Sequence, residues 1–483
     1  MNSNAIFRSI PVLLLLVIFL VSASVQAKLS ADIWFVKAGA DGDGRSIASP
    51  TGSLIVIENI SNIGDTIFVL PSDSSLDGGI ALKSRQSLIG LTEAGRKPSI
   101  TNSNLTRNAG CGIVLADNGS VSNLRIEETF ASGIYGFNTA SISIDGVDIH
   151  AANRSESFIE EKYATLPGAL PHGAMVFVQS ETETKISVTS SLISKAAGFG
   201  IVSVTSNSAR SSIKVSNTQV EGGSKIGFFD AGISALVQGS NANVNLEVFD
   251  SQVWGRFSRS GRNIMIVASG GARAVARVEK SFSGATGQDG IVAAVMQSPS
   301  QIDLYIHDSI IEDAGQMNIE GTLVNLEPAD PARPNQGKIR IEIDGSTIRN
   351  AGAIEGFEDV AANIWLGGSQ FQADLMPAVG SYELKITDSR IEGAGRSGLE
   401  FGDHSLLAKG WAEKSEYNVL LRANRILNNG DAEVMIHAPM ARIDARRNCW
   451  GQPEGLPKNR VVVVSEAETS KFDTTEPEPC NEH

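Results

Sequence analysis

One eight-residue pattern recurs along most of this 483-residue chain and restricts what it can fold into. It reads apolar-x-apolar-x, then a turn-forming residue, then Ser or Thr, x and apolar. Copies run from Ile186 to Ile193, Ile213 to Val220, Leu246 to Val253, Leu304 to Ile311, Ile341 to Ile348 and Leu384 to Ile391. Degenerate copies run from Ala276 to Ser283 and from Val419 to Ile426. Alternation sends Leu304 and Ile306 inward and Tyr305 and His307 outward. A residue tolerant of positive φ follows (Asn217, Asp250, Asp308, Gly345, Asp388), so the chain bends sharply before Thr218, Ser251, Ser309, Ser346 or Ser389 opens a second strand. A third strand then opens with Gly or Asn before an aliphatic residue, as at Ile134, Ile201, Ile233, Ile264, Ile291, Ile319, Ile364 and Leu399.

Ten residues separate the Ser/Thr anchor from the third-strand aliphatic in most coils, as from Ser309 to Ile319, Ser389 to Leu399 and Asn424 to Val434. The anchors themselves are spaced irregularly, so the excess over a bare three-strand coil must lie in corner loops. A barrel or sandwich of hairpins would need two-residue turns and strands of alternating direction, whereas here one three-strand unit repeats in a single sense. The pattern therefore predicts an all-β, right-handed parallel β-helix of about ten coils. Length alone would suggest two or three domains, but a solenoid grows by adding coils to one core.

The ends set the compartment. Arg8 precedes an apolar run from Val12 to Val21, and Val25-Gln26-Ala27 offers small residues to a signal peptidase, so residues 1–27 read as a signal peptide and Lys28 as the mature N-terminus. The run is too short to span a bilayer, which needs roughly 20 apolar residues. The expected division is a leader at 1–27, the β-helix domain at 28–451 and a capping segment with an acidic tail at 452–483. The expected product is secreted or periplasmic, monomeric, and without membrane insertion after cleavage. A formal net charge of −14 argues against nucleic-acid and anionic-lipid partners. Polyanionic sugars would need a local basic patch or a divalent cation such as calcium as cofactor. Of three cysteines, Cys449 and Cys480 are expected to bridge in an oxidising compartment and pin the tail, leaving Cys111 free; three unpaired thiols is the alternative.

The terminal segments carry a family resemblance. Ser49-Pro50-Thr51 through Gly64-Asp65-Thr66-Ile67, with Gly79-Ile80 and Ser87-Leu88-Ile89-Gly90, resembles the opening of pectin lyase-like right-handed β-helix proteins. The stretch from Val419 to Asn448-Cys449-Trp450-Gly451 resembles their closing coil. The resemblance spans roughly residues 32 to 451 and implies the fold, with a short N-terminal capping helix over the first coil, but not an activity. The Asn-Thr-Asp, Asp-Asp, Gly-His-Gly and Arg-Ile-Lys signatures of polygalacturonases are not found, and no compact set of calcium-binding acids with an Arg base stands out.

A site on such a solenoid is expected on an outward strand row beside long loops, where stacked coils repeat equivalent positions every 4.8 Å or so. Insertions fall at Ala151–Pro171 and, after the last third strands, at Leu326–Gly337, Ser369–Ser381 and Asp403–Glu416. The outward third-strand positions read Val202, Leu236, Met265 and Val292, then Glu320, Trp365, Glu400 and Met435, with His437 two residues on. Glu320 and Glu400 are candidate catalytic carboxyls, about 9.6 Å apart by strand spacing, against roughly 6.5 to 9.5 Å in inverting glycosidases. Trp365 is the candidate sugar platform, and Asp403, His404, Trp411 and His437 are further binding candidates. Solvated acids and a packed Trp would give the same row. The expected partner is a polysaccharide or cell-surface glycan; a structural, adhesin-like surface is the reading from another class. Asp145, Asp148 and His150 form a weaker metal candidate, and Glu312, Arg349 and Glu392 read as a cross-strand ion-pair ladder.

Overall fold

Alternating aliphatics with a turn residue every second strand build three long parallel sheets, one for each strand of the coil. The computed structural model describes residues 31–153, 173–222, 231–255, 261–296, 299–325, 336–352, 361–370, 379–402, 415–452, 455–463, 471–475, 477 and 480. Among these, the first, second and third sheets hold 17, 11 and 13 strands, the first including an antiparallel pair, Asp41–Ser46 with Ser49–Thr51, near the N-terminus. The pairing follows the repeat residue for residue. In the first sheet Ile186, Ile213, Leu246, Ala276, Leu304, Ile341, Leu384, Val419 and Ile443 stand in one column. In the third, Ile113, Ile134, Met175, Ile201, Ile233, Ile264, Ile291, Ile319, Ile364, Leu399 and Val434 do the same. These columns meet inside as one continuous core. Each fully buried Ile, Leu or Val there contributes about 1.5–3 kcal/mol.

The corner between the first two strands explains the Ser/Thr anchor. Asn217, Asp250, Asp308, Gly345 and Asp388 all have φ between 47° and 59°, which reverses the chain and leaves the next N–H inside without a strand partner. The following coil's hydroxyl accepts it. Thr218 N donates to Ser251 Oγ at 3.2 Å, Ser251 N to Ser281 Oγ at 3.2 Å, Ser281 N to Ser309 Oγ at 3.1 Å, Ser309 N to Ser346 Oγ at 3.1 Å and Ser346 N to Ser389 Oγ at 3.1 Å. Asn424 and Asn448 continue the ladder through their side-chain carbonyls. A second buried ladder, Asn318 to Asn363 to Asn429, runs along the corner before the third strand.

Each end has its own closure. A helix at Leu54–Ile60, capped by Ser53, buries Leu54 and Ile57 over the first coils. At the other end Val461–Val463 pairs with Val434–Ile436, and Lys471–Asp473 with Arg442–Asp444, so strands beyond residue 451 extend the first and third sheets. The Arg460 guanidinium binds Glu433 Oε1 at 2.7 Å and the Gly430 carbonyl at 2.7 Å. Cys449 and Cys480 are joined with their Cα atoms 5.0 Å apart, and Cys111 is a buried free thiol. The expected leader falls outside the described residues. Among those described, no helix is long and apolar enough to cross a membrane.

Candidate functional site

The outward face of the third sheet changes character along the rod, and the change locates the site. In register, its outward column is Tyr135, Val176, Val202, Ser234, Met265, Val292, Glu320, Trp365, Glu400 and Met435. Leu236, which the sequence placed in this column, is one outward step further along its strand, opposite Val204 and Val267. The residue that follows Ile233 into the outward column is Ser234. From Tyr135 to Val292 the column is buried, and all of it but Ser234 belongs to a second, outer apolar cluster. At Glu320 it first carries a charged side chain.

Glu320, Trp365 and Glu400 lie on three successive strands, directly opposite one another. Their surroundings are more enclosed than an open groove would allow. Trp365 is 7 % exposed, its Nε1 donates to the Gly402 carbonyl at 3.2 Å, and its ring lies over the Cα of Gly367. The structure therefore does not offer it as an open sugar platform. Glu400 is 2 % exposed: its Oε1 lies 3.1 Å from His437 Nε2 and 3.5 Å from an Arg396 guanidinium nitrogen, and its Oε2 accepts from Ser397 Oγ at 3.0 Å. His437 is thus a partner of Glu400, itself 4 % exposed.

Glu320 has a different environment. Part of its side chain still reaches solvent, but its carboxyl is surrounded by protein and donates a hydrogen bond to Asp289 on the preceding coil. Burial first, and the Asp289 charge second, push its pKa up to about 8, with Arg262 pulling the other way. Asp289 is also raised, mainly by burial and against the Arg262 charge. Arg262 Nε meets Asp289 Oδ2 at 3.1 Å, and Asp289 Oδ1 accepts Met317 N at 3.3 Å. Two neighbouring carboxyls with one cation resist carrying two negative charges together, which favours a proton on Glu320.

Sequence reasoning found Glu320, Trp365, Glu400 and His437 and missed Arg262, Asp289, Arg396 and Ser397. Arg262 and Asp289 were legible in principle: both stand two residues before the third-strand Ile, on consecutive coils, with opposite charge. Asp403, His404 and Trp411 lie outside the described residues. The Asp145, Asp148 and His150 group does not converge, since Asp145 takes Thr189 Oγ1 at 2.6 Å, Asp148 takes Lys97 at 2.7 Å and His150 faces Ser194. Among the described residues no three such groups are placed to hold a metal ion. Arg349 does bridge to Glu312, at 2.6 Å, while Glu392 pairs with Arg390 at 2.7 Å on its own strand.

No family model and no curated protein matches the chain. Among solved structures it is similar to a pectate lyase, Pel9A, with 10% identity and a TM-score of 0.23 over 94% of this chain and 80% of that one. It is also similar to a GH136 lacto-N-biosidase from Eubacterium ramulus, with 12% identity and a TM-score of 0.27 over 92% of this chain and 67% of that one. Both scores are low, and the parallel β-helix is established by the chain's own strand register.

Proposed function

We propose that this chain is an exported β-helix protein of the pectin lyase-like kind that binds and cleaves a polysaccharide, with Glu320 as proton donor and Glu400 as the partner carboxylate. One observation carries the reading: two enclosed carboxyls stand two strands apart on the same outward column, and burial with the neighbouring Asp289 pushes the Glu320 pKa up to about 8. That is about 9.6 Å of backbone, at the upper edge of the spacing that leaves room for a water between sugar and base. Glu320 would protonate the leaving oxygen. Glu400, oriented by Ser397 and flanked by His437 and Arg396, would draw a proton from the attacking water. Asp289 would then favour reprotonation of Glu320, because the pair resists carrying two charges. Asp403, His404 and Trp411 remain candidates for sugar contacts. Export accords with the N-terminal segment and with a Cys449–Cys480 bridge, a bond that oxidising compartments preserve.

One observation favours a second reading, a non-catalytic structural or adhesin-like surface. Trp365 stands on the strand between the two carboxyls and is itself buried, so the column offers no open groove joining them. The deciding experiment is reducing-end release from a panel of polysaccharides by the mature protein, with Glu320→Gln and Glu400→Gln alongside. Turnover abolished by either substitution supports the first reading; no turnover by the parent protein supports the second.

A further inference from the structure

Of the four tryptophans the structure describes, Trp34, Trp365 and Trp450 are 0 %, 7 % and 3 % exposed, while Trp254 keeps part of its surface in solvent. It projects from the outer face of the second sheet, since Val253 beside it is fully buried in the core. The facing strand supplies Gly284 opposite Trp254 and Phe282 opposite Gln252. A Cβ at Gly284 would stand 2.5 Å from Phe282 Cζ, so the phenyl ring lies down across the glycine instead of standing off the sheet. An indole and a flattened phenyl ring thus occupy neighbouring positions on one outer face.

The row beside them is uncharged over five strands: Leu192, Gln219, Gln252, Phe282 and Ile310 stand in register, about 19 Å from end to end at 4.8 Å per strand. Leu192 is 37 % and Ile310 43 % exposed. Gln219 and Gln252 are exposed, and their amides have no hydrogen-bond partner among the described residues.

We propose that this stripe is a binding site for a neutral polysaccharide, separate from the carboxyl column of the third sheet. The C–H face of a pyranose is apolar and stacks on a flat aromatic surface, while a primary amide offers both a donor and an acceptor to adjacent hydroxyls. With no charge in the row, and an overall negative chain, the stripe does not suit a polyanion. The proposal rests on the carbohydrate reading above but not on its catalytic residues.

The test is affinity electrophoresis of the full chain in gels containing a mixed-linkage β-glucan, a xylan, a galactomannan, a starch or polygalacturonate. The expected result is retardation in at least one neutral gel, insensitive to about 0.5 M salt. Trp254→Ala and Gln252→Ala should each weaken it, the former at least tenfold, with unchanged circular dichroism; Gln252→Ala serves alone if the Trp variant does not fold. Glu320→Gln should leave retardation intact. Retardation in no neutral gel, only in polygalacturonate, or undiminished in both stripe variants overturns the site, as does self-association of the parent protein that Ile310→Asp abolishes. Binding lost in Trp254→Ala with turnover lost only in Glu320→Gln separates this site's fate from that of the catalytic reading.

Discussion

Glu320 hydrogen-bonds Asp289 across adjacent coils, and the two carboxyls share the single positive charge of Arg262. In the unfolded chain Glu320 would lose its proton near its ordinary value of about 4.3. In the folded protein it keeps the proton up to about pH 8. Between those limits the folded state binds more protons than the unfolded one, so this group's contribution to stability falls as pH rises, by up to about 1.4 kcal/mol per pH unit. The melting temperature should therefore drop between about pH 5 and about pH 8 more steeply in the parent protein than in Glu320→Gln, whose amide is neutral throughout. Parallel curves would show that Glu320 is ionised in the folded state.

Trp365→Ala should destabilise the protein by about 3–5 kcal/mol, the cost of emptying a buried Trp site. Chemical denaturation measures it. A change under about 1 kcal/mol would mean that the ring is mobile and free to act as a platform.

The hydroxyl ladder makes a sharper prediction. Ser309 Oγ accepts the Ser281 N–H and donates to the His307 carbonyl at 2.8 Å, so Ser309→Ala leaves a buried donor unmet and should cost about 1–3 kcal/mol. Ser309→Thr should cost much less, because at the equivalent position the Thr218 hydroxyl accepts the Ser191 N–H and donates to the Ser216 carbonyl. Equal losses in both variants would refute a hydrogen-bonding role for the anchor.

These anchors show why the fold was legible and much of the site was not. Ile186, Ile213, Leu246 and Leu304 each answer to one rule, alternation toward a shared core, and stacking then repeats the rule coil after coil. The column holding Glu320, Trp365 and Glu400 was legible for the same reason, as a fixed offset from Ile319, Ile364 and Leu399. What those side chains meet was not. Arg262 and Asp289 reach Glu320 from the preceding coils, and Trp365 is closed by a contact with Gly402 on the next. Arg262 and Asp289 share an offset two residues before Ile264 and Ile291, but which side chain they reach across coils follows no period in the sequence.

The thiols give an independent check of the C-terminal closure. Cys111 is buried with its pKa pushed up to about 12, so it should not react in the folded protein. Iodoacetamide should label no cysteine in the native state, one after denaturation and three after denaturation with reduction, read by intact mass. Three labelled without reduction would exclude the Cys449–Cys480 bridge. Reducing it removes a 31-residue closure worth about 3–4 kcal/mol by loop entropy. Amide exchange should then rise first at Val461–Val463.

The claim that Glu320 and Glu400 work as an acid and base is tested most directly by the initial rate of reducing-end release from the polysaccharide panel, measured on the parent protein and the two Gln variants. The account predicts turnover of at least one polymer by the parent, a loss of at least a hundredfold in Glu320→Gln and in Glu400→Gln, and retained glycan binding in both. A parent protein that cleaves nothing, or a Glu320→Gln variant that cleaves at the parent rate, would contradict it.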